Sequence, residues 1–379
     1  MIREASKPRD DWRKRCEEVG FGFHSIDGIY WDETARYRFT AAQIDTLERA
    51  SAECYRICME AATHVIEKNR FAELAIPEEA WSLIRESWDK DAPSLFGRFD
   101  FAYTGVGEPK MLEFNADTPT GIVEASVAQW HWLEDMQSEL GGNADQFNSI
   151  HEKLIAQWQW MREQNFIPQT MHFTCVGDHE EDEGNLHYLR DTAMQAGIEA
   201  LYVPVEQIGW EEGNDFVDQH GARIDTLFKL YPWEWMWGDD FGKNLRRSSM
   251  RVVEPVWKMV LSNKGILPIL WELFPDHPNL LPASFEQYKI GGDYVKKPLL
   301  SREGGNVELY RGGEVFRADG DYGEEGFVYQ QYSPIPEFDG HHATIGAWIV
   351  GDEPAGIGVR EDATPITMNT SQFVPHFFT

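Results

Sequence analysis

Hydrophobic residues recur at helical spacing over residues 41–68, where Ile44, Leu47 and Cys54 begin a continuous apolar stripe. Thr40 stands directly before this stripe, and threonine is a favoured residue at the start of a helix. The pattern therefore predicts one long helix that buries a single face.

The middle of the chain alternates between helical and extended patterns. Helices are predicted at 119–139, 149–165 and 184–196, and strands at 170–176, 199–204 and 224–231. Strand–helix–strand alternation is typical of a parallel α/β sheet.

The last third has a different pattern. A helical stretch at 254–274 is followed by short strands separated by Pro- and Gly-marked turns, at 293–298, 306–310, 314–317, 326–332 and 342–350. These strands predict an antiparallel module joined to the α/β body. Three approximate subdomains follow: helices and a hairpin (1–145), an α/β part (146–255) and an α+β part (256–379).

Composition narrows the classes of function. The 379 residues carry a net charge of -30, which opposes binding to nucleic acid and to anionic membranes. The 15 tryptophans are expected in large packed cores, with a sugar- or base-stacking surface as the alternative. The first residues contain no apolar signal segment, so a cytoplasmic protein is predicted. The cysteines are predicted to be buried apolar residues rather than disulfides: Cys16, Cys54, Cys58 and Cys175.

One predicted hairpin gathers polar side chains. If the segment GRFDFAYTGVGEPKMLEFNAD turns at residues 106–107, Asp100 lies opposite Glu113 and Arg98 lies opposite Asn115. Because side chains alternate between faces along a strand, all of them then share one face.

Two directly opposed carboxylates repel each other unless a cation lies between them. Carboxylate and amide oxygens suit Mg²⁺, so Asp100, Glu113 and Asn115 are candidate metal ligands. Arg98 beside them matches phosphate or carboxylate oxygens. The alternative is an ordinary hairpin whose polar face is simply solvated.

Cationic segments that suit phosphate groups lie further along the chain. A strand delivers Lys297 to a loop that contains Arg302, Gly304 and Gly305. Glycines let backbone N–H groups approach an anion, and a flanking arginine adds charge. The loop does not match the P-loop pattern, and an ordinary turn remains the alternative.

Three further sites belong to the same prediction. Lys264 precedes a predicted helix, whose N-terminus favours an anion, although a solvated surface lysine is the alternative. Gln330 and Gln331 end a strand whose edge can offer backbone groups to an adenine. Arg360 follows glycines in a segment expected to be a mobile loop or a docked tail.

These segments, in this order, resemble the synthetase part of the glutathionylspermidine synthase family. The resemblance runs from about Trp31 to Phe378, and its most specific runs are RFDFAY…MLEFNADTPT, LFKLYPWEWM, EPVWKMVLSNKGILPILWE, YVKKPLLSREGGNV and TSQFVPHFF. The resemblance implies an α/β fold with an α+β nucleotide-binding part, ATP-grasp-like and of permuted topology.

The family's functional residues carry over by motif. The resemblance implies Mg²⁺ ligands at the hairpin trio named above, with Arg98 stabilising the reacting centre. It implies ATP-phosphate lysines at Lys264 and Lys297, and an arginine of the closing segment at Arg360.

The activity implied is an ATP-dependent carboxylate–amine ligase that works through an acyl phosphate. The substrates implied are glutathione or another peptide and a polyamine or other amine. The chain begins too near the synthetase region to include the amidase domain of bifunctional members, so no amidase activity is expected. The alternatives are a different acid–amine pair, a non-catalytic ATP-binding protein that keeps the fold, and a carbohydrate-binding protein.

An amine substrate is mostly protonated near neutral pH and needs a nearby carboxylate. Glu181 and Glu183 belong to an acidic run at the end of a predicted buried strand, where α/β proteins often bind ligands. Glu234 is a third candidate on the substrate side. The alternatives are a solvated acidic turn at a helix start and, around Glu234, a tryptophan-rich core.

Overall fold

The computed structural model describes residues 1–25 and 28–379. The helices are α1 (Trp12–Glu18), α2 (Ala41–Lys68), α3 (Glu78–Asp89), α4 (Gln129–Leu140), α5 (Ile150–Glu163), α6 (Glu180–Gln195), α7 (Trp233–Gly238), α8 (Met259–Ser262) and α9 (Ile266–Leu273). The strands are β1 (Ile2–Ala5), β2 (Ala35–Phe39), β3 (Phe96–Ala102), β4 (Lys110–Asn115), β5 (Thr170–Cys175), β6 (Glu199–Tyr202), β7 (Gly209–Glu211), β8 (Asp215–Val217), β9 (Thr226–Leu230), β10 (Arg251–Val253), β11 (Ala283–Ser284), β12 (Tyr294–Pro298), β13 (Glu308–Arg311), β14 (Glu314–Arg317), β15 (Phe327–Gln331), β16 (Glu337–Phe338), β17 (His341–Val350), β18 (Glu353–Asp362), β19 (Gln372–Val374) and β20 (His376–Phe378).

The long helix α2 has the predicted limits and the predicted cap. The Thr40 hydroxyl accepts a hydrogen bond from the Gln43 backbone N–H, and the Gln43 side chain accepts one from the Thr40 N–H. This reciprocal arrangement satisfies donors that the helix itself cannot. Cys54 and Cys58 lie fully buried on the apolar face, and all the cysteines are free and buried, as expected.

The α/β part contains the predicted parallel sheet, in the order β10-β9-β5-β6. All its strand pairs are parallel. Helices α5 and α6 contribute apolar residues to the core against this sheet, where Trp158 of α5 packs on Phe173 of β5. The carboxyl ends of β5 and β9 then point toward the cavity described below.

The antiparallel module is also present, but its membership differs from the prediction. The five-stranded sheet has the order β11-β15-β12-β13-β14. The strand expected at 342–350 is instead β17, which pairs with β18 and β3 in the six-stranded sheet that contains the hairpin. Its apolar alternation could not reveal this partner, because pairing across such a sequence separation leaves no local pattern. The three-part division of the chain remains a prediction.

Two predicted helices are interrupted. The stretch 254–274 forms a 3₁₀ turn (Val256–Lys258), then α8 and α9, with the break where Asn263 Oδ1 accepts the Gly265 N–H at 2.8 Å. The helix expected from Pro119 begins later, because Gly121 has φ of +82°. A π-helical turn at Glu124–Ala128 then leads into α4.

No helix in the described ranges is long and apolar enough to cross a membrane. The predicted cytoplasmic location remains a prediction.

Candidate active site

The hairpin of β3 and β4 has the predicted register where its polar residues lie. Asp100 is paired with Glu113, and Arg98 is paired with Asn115. The period-two argument therefore placed all of these residues correctly on one face.

The turn of the hairpin differs from the prediction. The register shifts after Asp100, so that Phe101 pairs with Met111, and residues 103–109 form a wider loop instead of a two-residue turn. A bulge of this kind inserts one extra residue into one strand without disturbing the pairs on its far side. Thus an incorrect turn still gave the correct register at the site.

Arg98 is held in place by several acceptors. Its Nε and Nη2 donate to the two carboxylate oxygens of Asp100 at 2.7 and 3.1 Å, and its Nη1 donates to the Thr120 carbonyl at 2.6 Å. The side chain crosses Gly346 of β17, where an added Cβ would lie 2.9 Å from Arg98 Cδ. Gly346 therefore leaves the space that the arginine occupies.

Glu113 has a cationic partner of its own. Its Oε2 lies 3.2 Å from Lys264 Nζ, and its Oε1 accepts a hydrogen bond from Asn115 Nδ2 at 3.1 Å. The same Asn115 nitrogen donates to Asp100 Oδ2 at 3.3 Å. Asn115 therefore bridges the two carboxylates.

The pKa values of the two carboxylates, Asp100 and Glu113, are shifted in opposite directions. Burial raises the pKa of Asp100, against the opposing charge of Arg98. Burial also opposes ionisation of Glu113, but the ammonium groups of Lys264 and Lys297 outweigh it and lower the pKa of Glu113. A pair of interacting carboxylates with separated pKa values is common at functional sites.

The donor set is compatible with a hard divalent cation. The described residues contain no group of three or more His, Cys, Asp or Glu side chains suited to a metal ion, so a site here would combine two carboxylates with the Asn115 amide. Oxygen ligands of this kind suit Mg²⁺, which usually keeps several waters and binds through one or two carboxylates. Asn115 presents its nitrogen to both carboxylates, so its amide would have to turn to present oxygen.

Lys297 of β12 extends from the five-stranded sheet toward the hairpin. Its Nζ donates to the Leu112 carbonyl at 2.7 Å and to Gln330 Oε1 at 2.8 Å. Burial lowers the pKa of Lys297 to about 8, although Glu113 favours its charged form. The lysine therefore connects the two sheets.

The predicted strand edge at the glutamines is absent. Strand β15 lies inside the five-stranded sheet between β11 and β12, and the Gln331 N–H is already bonded to the Pro282 carbonyl at 2.7 Å. Gln330 acts through its side chain instead, by accepting from Lys297 and donating to the Met111 carbonyl at 3.1 Å. The prediction was wrong because neighbouring strands far away in sequence cover both edges.

The glycine loop contacts the α/β part through Arg302. Its guanidinium donates to Thr118 Oγ1, and to Glu234 Oε1 at 2.9 Å, and it lies 5.5 Å from the centre of the Trp235 ring. Gly304 has φ of +70°, and an added Cβ would meet the Thr367 carbonyl oxygen at 2.6 Å. This loop therefore requires glycine at that position.

Arg360 is not in a mobile loop or a docked tail, as had been expected. It lies within β18, opposite Thr344 of β17. Its Nη2 donates to the backbone carbonyls of Met368, Asn369 and Ser371 at 2.7, 3.0 and 3.3 Å. Strand β18 runs from Glu353 to Asp362, so Arg360 lies near the end of a regular strand.

These elements enclose a cavity of about 380 Å³. That volume lies within the usual range for small-molecule sites. The cavity is lined by ten residues that the sequence selected: Arg98, Asp100, Glu113, Asn115, Lys297, Arg302, Gly304, Gln330, Gln331 and Arg360. In the described part of the chain, the remaining selected residues lie outside this lining: Lys264, Gly305, Glu181, Glu183 and Glu234.

Two arginines that line the cavity have a buried donor without an acceptor. Within the described ranges, the Nε atoms of Arg302 and Arg360 are buried without a hydrogen-bond partner, and so is the hydroxyl of Ser301, which lies beside Arg302 but outside the cavity lining. Buried donors are normally satisfied, so unpaired ones around a cavity suggest an anionic ligand. Apolar side chains line another part of the cavity and suit a nucleobase: Leu112, Val295, Val307, Leu309 and Ile335.

The acidic run before and within α6 divides between two environments. Asp182 lines the cavity, and burial raises its pKa to about 6. Glu181 is buried, with 6% of its surface exposed, and its charge acts on Asp182 and Glu303, which both line the cavity. Glu183 points away, because helical rotation directs it to Tyr202, whose hydroxyl donates to it at 2.9 Å.

Two residues that matter for the site were not predicted from the sequence, Asp117 and Glu124. Asp117 lies just before the helix predicted at 119–139, and it is buried and accepts hydrogen bonds from Lys229 Nζ and, at 3.0 Å, from the Trp233 backbone N–H. It therefore ties the end of the hairpin to β9 and α7. Glu124 was not selected at all, since it lay in a segment that predicted an ordinary helix.

Comparison with known proteins extends over the whole chain. Residues 3–379 match the family described as "Glutathionylspermidine synthase preATP-grasp". A protein of Haemophilus influenzae named acid–amine ligase is 42% identical over 98% of this chain and 97% of its own length. Trypanothione synthetase of Crithidia fasciculata is 31% identical over 83% of this chain, and the match covers 52% of that enzyme.

Two other matches concern a longer enzyme and the fold. The bifunctional glutathionylspermidine synthetase/amidase of Escherichia coli is 27% identical over 89% of this chain and 58% of its own length. A glutathione synthetase-like effector from Globodera pallida shares the fold, with a TM-score of 0.57, 9% identity and 98% coverage of both chains. The mixed α/β architecture is thus consistent with an ATP-grasp-like fold, whereas the permuted topology remains a prediction.

The relatives are named as a ligase and as synthetases, which confirms the predicted class of enzyme, an ATP-dependent ligase. The match to the family and the 42% and 31% identities confirm the resemblance found in the sequence. The chain belongs to the glutathionylspermidine synthase family.

Proposed function

We propose that the cavity binds Mg²⁺-ATP and two small substrates, and that the enzyme joins a carboxylate to an amine through an acyl phosphate. The best candidate substrates are glutathione or another peptide and a polyamine or other amine. The names of the relatives support this class of reaction. The observation that carries the proposal is the convergence of the hairpin carboxylates, Lys297 and two partly unsatisfied arginines on one cavity.

Asp100, Glu113 and Asn115 would hold the metal ion, which supplies charge neutralisation for the phosphates when bound. Lys297 lines the cavity from the neighbouring sheet and would pair with phosphate oxygens from the side opposite the hairpin. Lys264 lies outside the lining, 3.2 Å from Glu113 Oε2, and would reach the phosphates by releasing Glu113 to the metal ion. The loop that contains Arg302 and Gly304 would cover the phosphates and exclude water, which would otherwise hydrolyse the acyl phosphate.

The first step transfers the terminal phosphoryl group of ATP to a substrate carboxylate. An O–P bond to ADP breaks as an O–P bond to the carboxylate forms, and such a transfer depends mainly on positioning and charge. Arg98 is fixed by Asp100 and the Thr120 carbonyl, and we place the reacting centre beside it. In the second step the amine attacks the acyl carbon and phosphate leaves, with Arg98 stabilising the oxyanion.

The acidic side of the cavity is the proposed place for the amine. Asp182 lines the cavity, and the buried Glu181 beside it in the chain acts on it through its charge. Asp182 takes the role expected for Glu183, because Glu183 faces Tyr202. Glu234 instead positions Arg302. A pair of carboxylates favours binding of an ammonium group and can accept its proton.

The test is ADP release measured with Mg²⁺-ATP across a matrix of carboxylates and amines, with products identified by mass. Glutathione and spermidine form the first pair, and each substrate is also supplied alone. We expect ADP release that requires both substrates. The product should be heavier than the carboxylate substrate by the mass of the amine minus one water. Binding of ATP without turnover for any pair would favour the alternative of a non-catalytic ATP-binding protein.

A further inference from the structure

Glu124 is a fully buried carboxylate with an unused oxygen. Its exposure is 0%, and Oε1 accepts a hydrogen bond from the Tyr30 hydroxyl at 2.6 Å. Among the residues that the structure describes, no group donates to Oε2. A buried polar atom without a partner calls for an explanation.

Glu254 serves for comparison, because it is a buried carboxylate in which both oxygens accept hydrogen bonds. Glu254 is also at 0% exposure, but its Oε1 accepts the backbone N–H groups of Leu95 and Phe96, each at 3.0 Å. Its Oε2 accepts Lys258 Nζ at 2.6 Å. Within the described part of the chain, Glu124 accepts from one side chain and from no cation, whereas Glu254 accepts from three donors, so the environment of Glu124 leaves room for a proton.

Hydrogen bonds through Asn185 connect the segment of Glu124 to the acidic side of the cavity. Glu124 begins the π-helical turn Glu124–Ala128, and π turns often occur at functional sites. Just before it, the Ile122 N–H donates to Asn185 Oδ1 at 3.1 Å, and Asn185 Nδ2 donates to the Glu181 carbonyl at 2.8 Å. Asn185 thus bridges the segment of Glu124 and the first turn of α6.

Three charged or titratable groups act on Glu124 from three elements: Glu181 from α6, Tyr30 from the segment before β2, and Arg360 from β18. Burial first, and the charge of Glu181 second, raise the pKa of Glu124 to about 7. The hydrogen bond from Tyr30 and the charge of Arg360 act in the opposite direction. Glu124 can therefore gain or lose a proton near neutral pH, which an ordinary glutamate cannot.

We propose that Glu124 stores the proton that the amine substrate must lose before it attacks. This rests on the proposed function and extends it. One N–H bond of the ammonium breaks, the electron pair stays on nitrogen, and the proton passes from Asp182, which lines the cavity, by way of Glu181 to form an O–H bond on Glu124 Oε2. The proton returns to solvent after product leaves. Because Glu124 acts through Glu181, it is a positioning residue rather than a catalytic one.

Two substitutions separate this role from a structural one. Glu124→Gln keeps the shape of the side chain and removes the titration, and Tyr30→Phe removes the hydrogen bond that lowers the pKa of Glu124. With Mg²⁺-ATP, glutathione and spermidine, we expect wild-type kcat to rise with pH through an inflection near neutrality. Glu124→Gln should lose that inflection and about 10²-fold in kcat. Tyr30→Phe should move it up by about half to one pH unit.

A neutral nucleophile distinguishes this proposal from the proposed function. Hydroxylamine is uncharged near neutral pH and has no additional proton to lose before it attacks, so Glu124→Gln should form hydroxamate from glutathione at the wild-type rate. The proton that nitrogen loses as the N–C bond forms leaves with the phosphate. If wild-type protein also forms no hydroxamate, the acyl-phosphate reaction of glutathione fails, whatever Glu124 does. If both proteins form it but the kcat profile of Glu124→Gln with spermidine keeps its inflection, the proton role is wrong.

Thermal unfolding tests the proton site without any substrate. A carboxyl whose pKa is raised in the folded state stabilises below about pH 4.5, and this contribution is lost as pH rises through about 7. The Tm of Glu124→Gln relative to wild type should therefore increase over that window, whereas the control Glu353→Gln, at an exposed ion pair with Lys153, should not. A difference in Tm that is independent of pH would overturn the proposal.

Discussion

The two sides of the cavity satisfy their charges differently. On the six-stranded sheet, Arg98 is paired with Asp100 and Glu113 with Lys264. Outside the hairpin, Arg302 of the glycine loop and Arg360 of β18 each keep an unpaired Nε within the described residues. The hairpin therefore forms a prearranged charged surface, whereas the arginines around it keep unused hydrogen-bond donors. The contrast indicates that the hairpin of the sheet positions the reacting groups and that the arginines around it respond to the ligand.

The largest expected effect concerns the buried ion pair between Asp117, at the end of the hairpin, and Lys229 of β9. Asp117→Ala would leave the ammonium of Lys229 buried without its partner, with both side chains at 1% exposure or less. Removing one partner of a buried pair typically costs about 3–5 kcal/mol. Urea unfolding should show a loss of this size. The exposed pair member Asp225, which contacts Arg223, serves as the control, since Asp225→Ala should change the free energy of unfolding little.

The next effect tests the sheet side directly. Arg98→Ala should lower kcat by about 10²–10³-fold, because one donor to the developing oxyanion is lost. Binding of ATP should persist, since the lysines and the other arginines remain. Steady-state kinetics together with ATP titration separates the two quantities. Normal turnover in Arg98→Ala would refute the role given to Arg98.

A smaller effect should appear in the pH dependence of nucleotide binding. Lys297 has a pKa of about 8 in the free protein, so it is charged below that pH and neutral above it. ATP affinity should therefore fall as pH rises through about 8. Lys297→Met should bind ATP about 10- to 100-fold more weakly at pH 7, in line with the loss of one charged hydrogen bond.

Calorimetric titration from pH 6.5 to 9.5 measures both results. The affinity of Lys297→Met should change less over this range than that of wild type. An equal fall in the two proteins would show that another group controls the binding.

The smallest effect belongs to the loop side. The Arg302–Glu234 pair is partly exposed, with side-chain exposures of 27% and 20%, so it contributes about 1 kcal/mol or less. Glu234→Gln should release Arg302 toward the ligand and alter the KM for ATP less than about fivefold. A change larger than that of Lys297→Met would mean that the loop, not the sheet, determines nucleotide affinity.

The sequence predicted the parts of the site that depend on local periodicity. Alternation along β3 and β4 placed Asp100 opposite Glu113, and the stripe of α2 gave that helix its limits. It did not predict that β17 joins the hairpin, because its partner lies about 250 residues away in sequence, as Ile345 pairs with Phe101. For the same reason Gly346 gave no sign of the space that it leaves for Arg98.

Other differences arose because the sequence does not show which way a polar side chain faces in the fold. Glu183 belongs to the same acidic run as Asp182, and only the start of α6 at Glu180 decides which of them faces the cavity. Glu124 begins the π-helical turn Glu124–Ala128, and periodicity alone does not indicate such a turn. Local pattern therefore predicts faces and registers, whereas distant contacts determine which polar groups share a cavity.

The central claim is that the hairpin carboxylates bind a divalent ion together with ATP. Its most direct test is calorimetric titration of ATP with and without Mg²⁺, in wild type and in the double variant Asp100→Asn/Glu113→Gln. We predict that wild-type affinity requires Mg²⁺ and that the double variant loses this requirement together with most of its affinity. Equal affinity with and without Mg²⁺ in wild type, unchanged in the double variant, would contradict the claim.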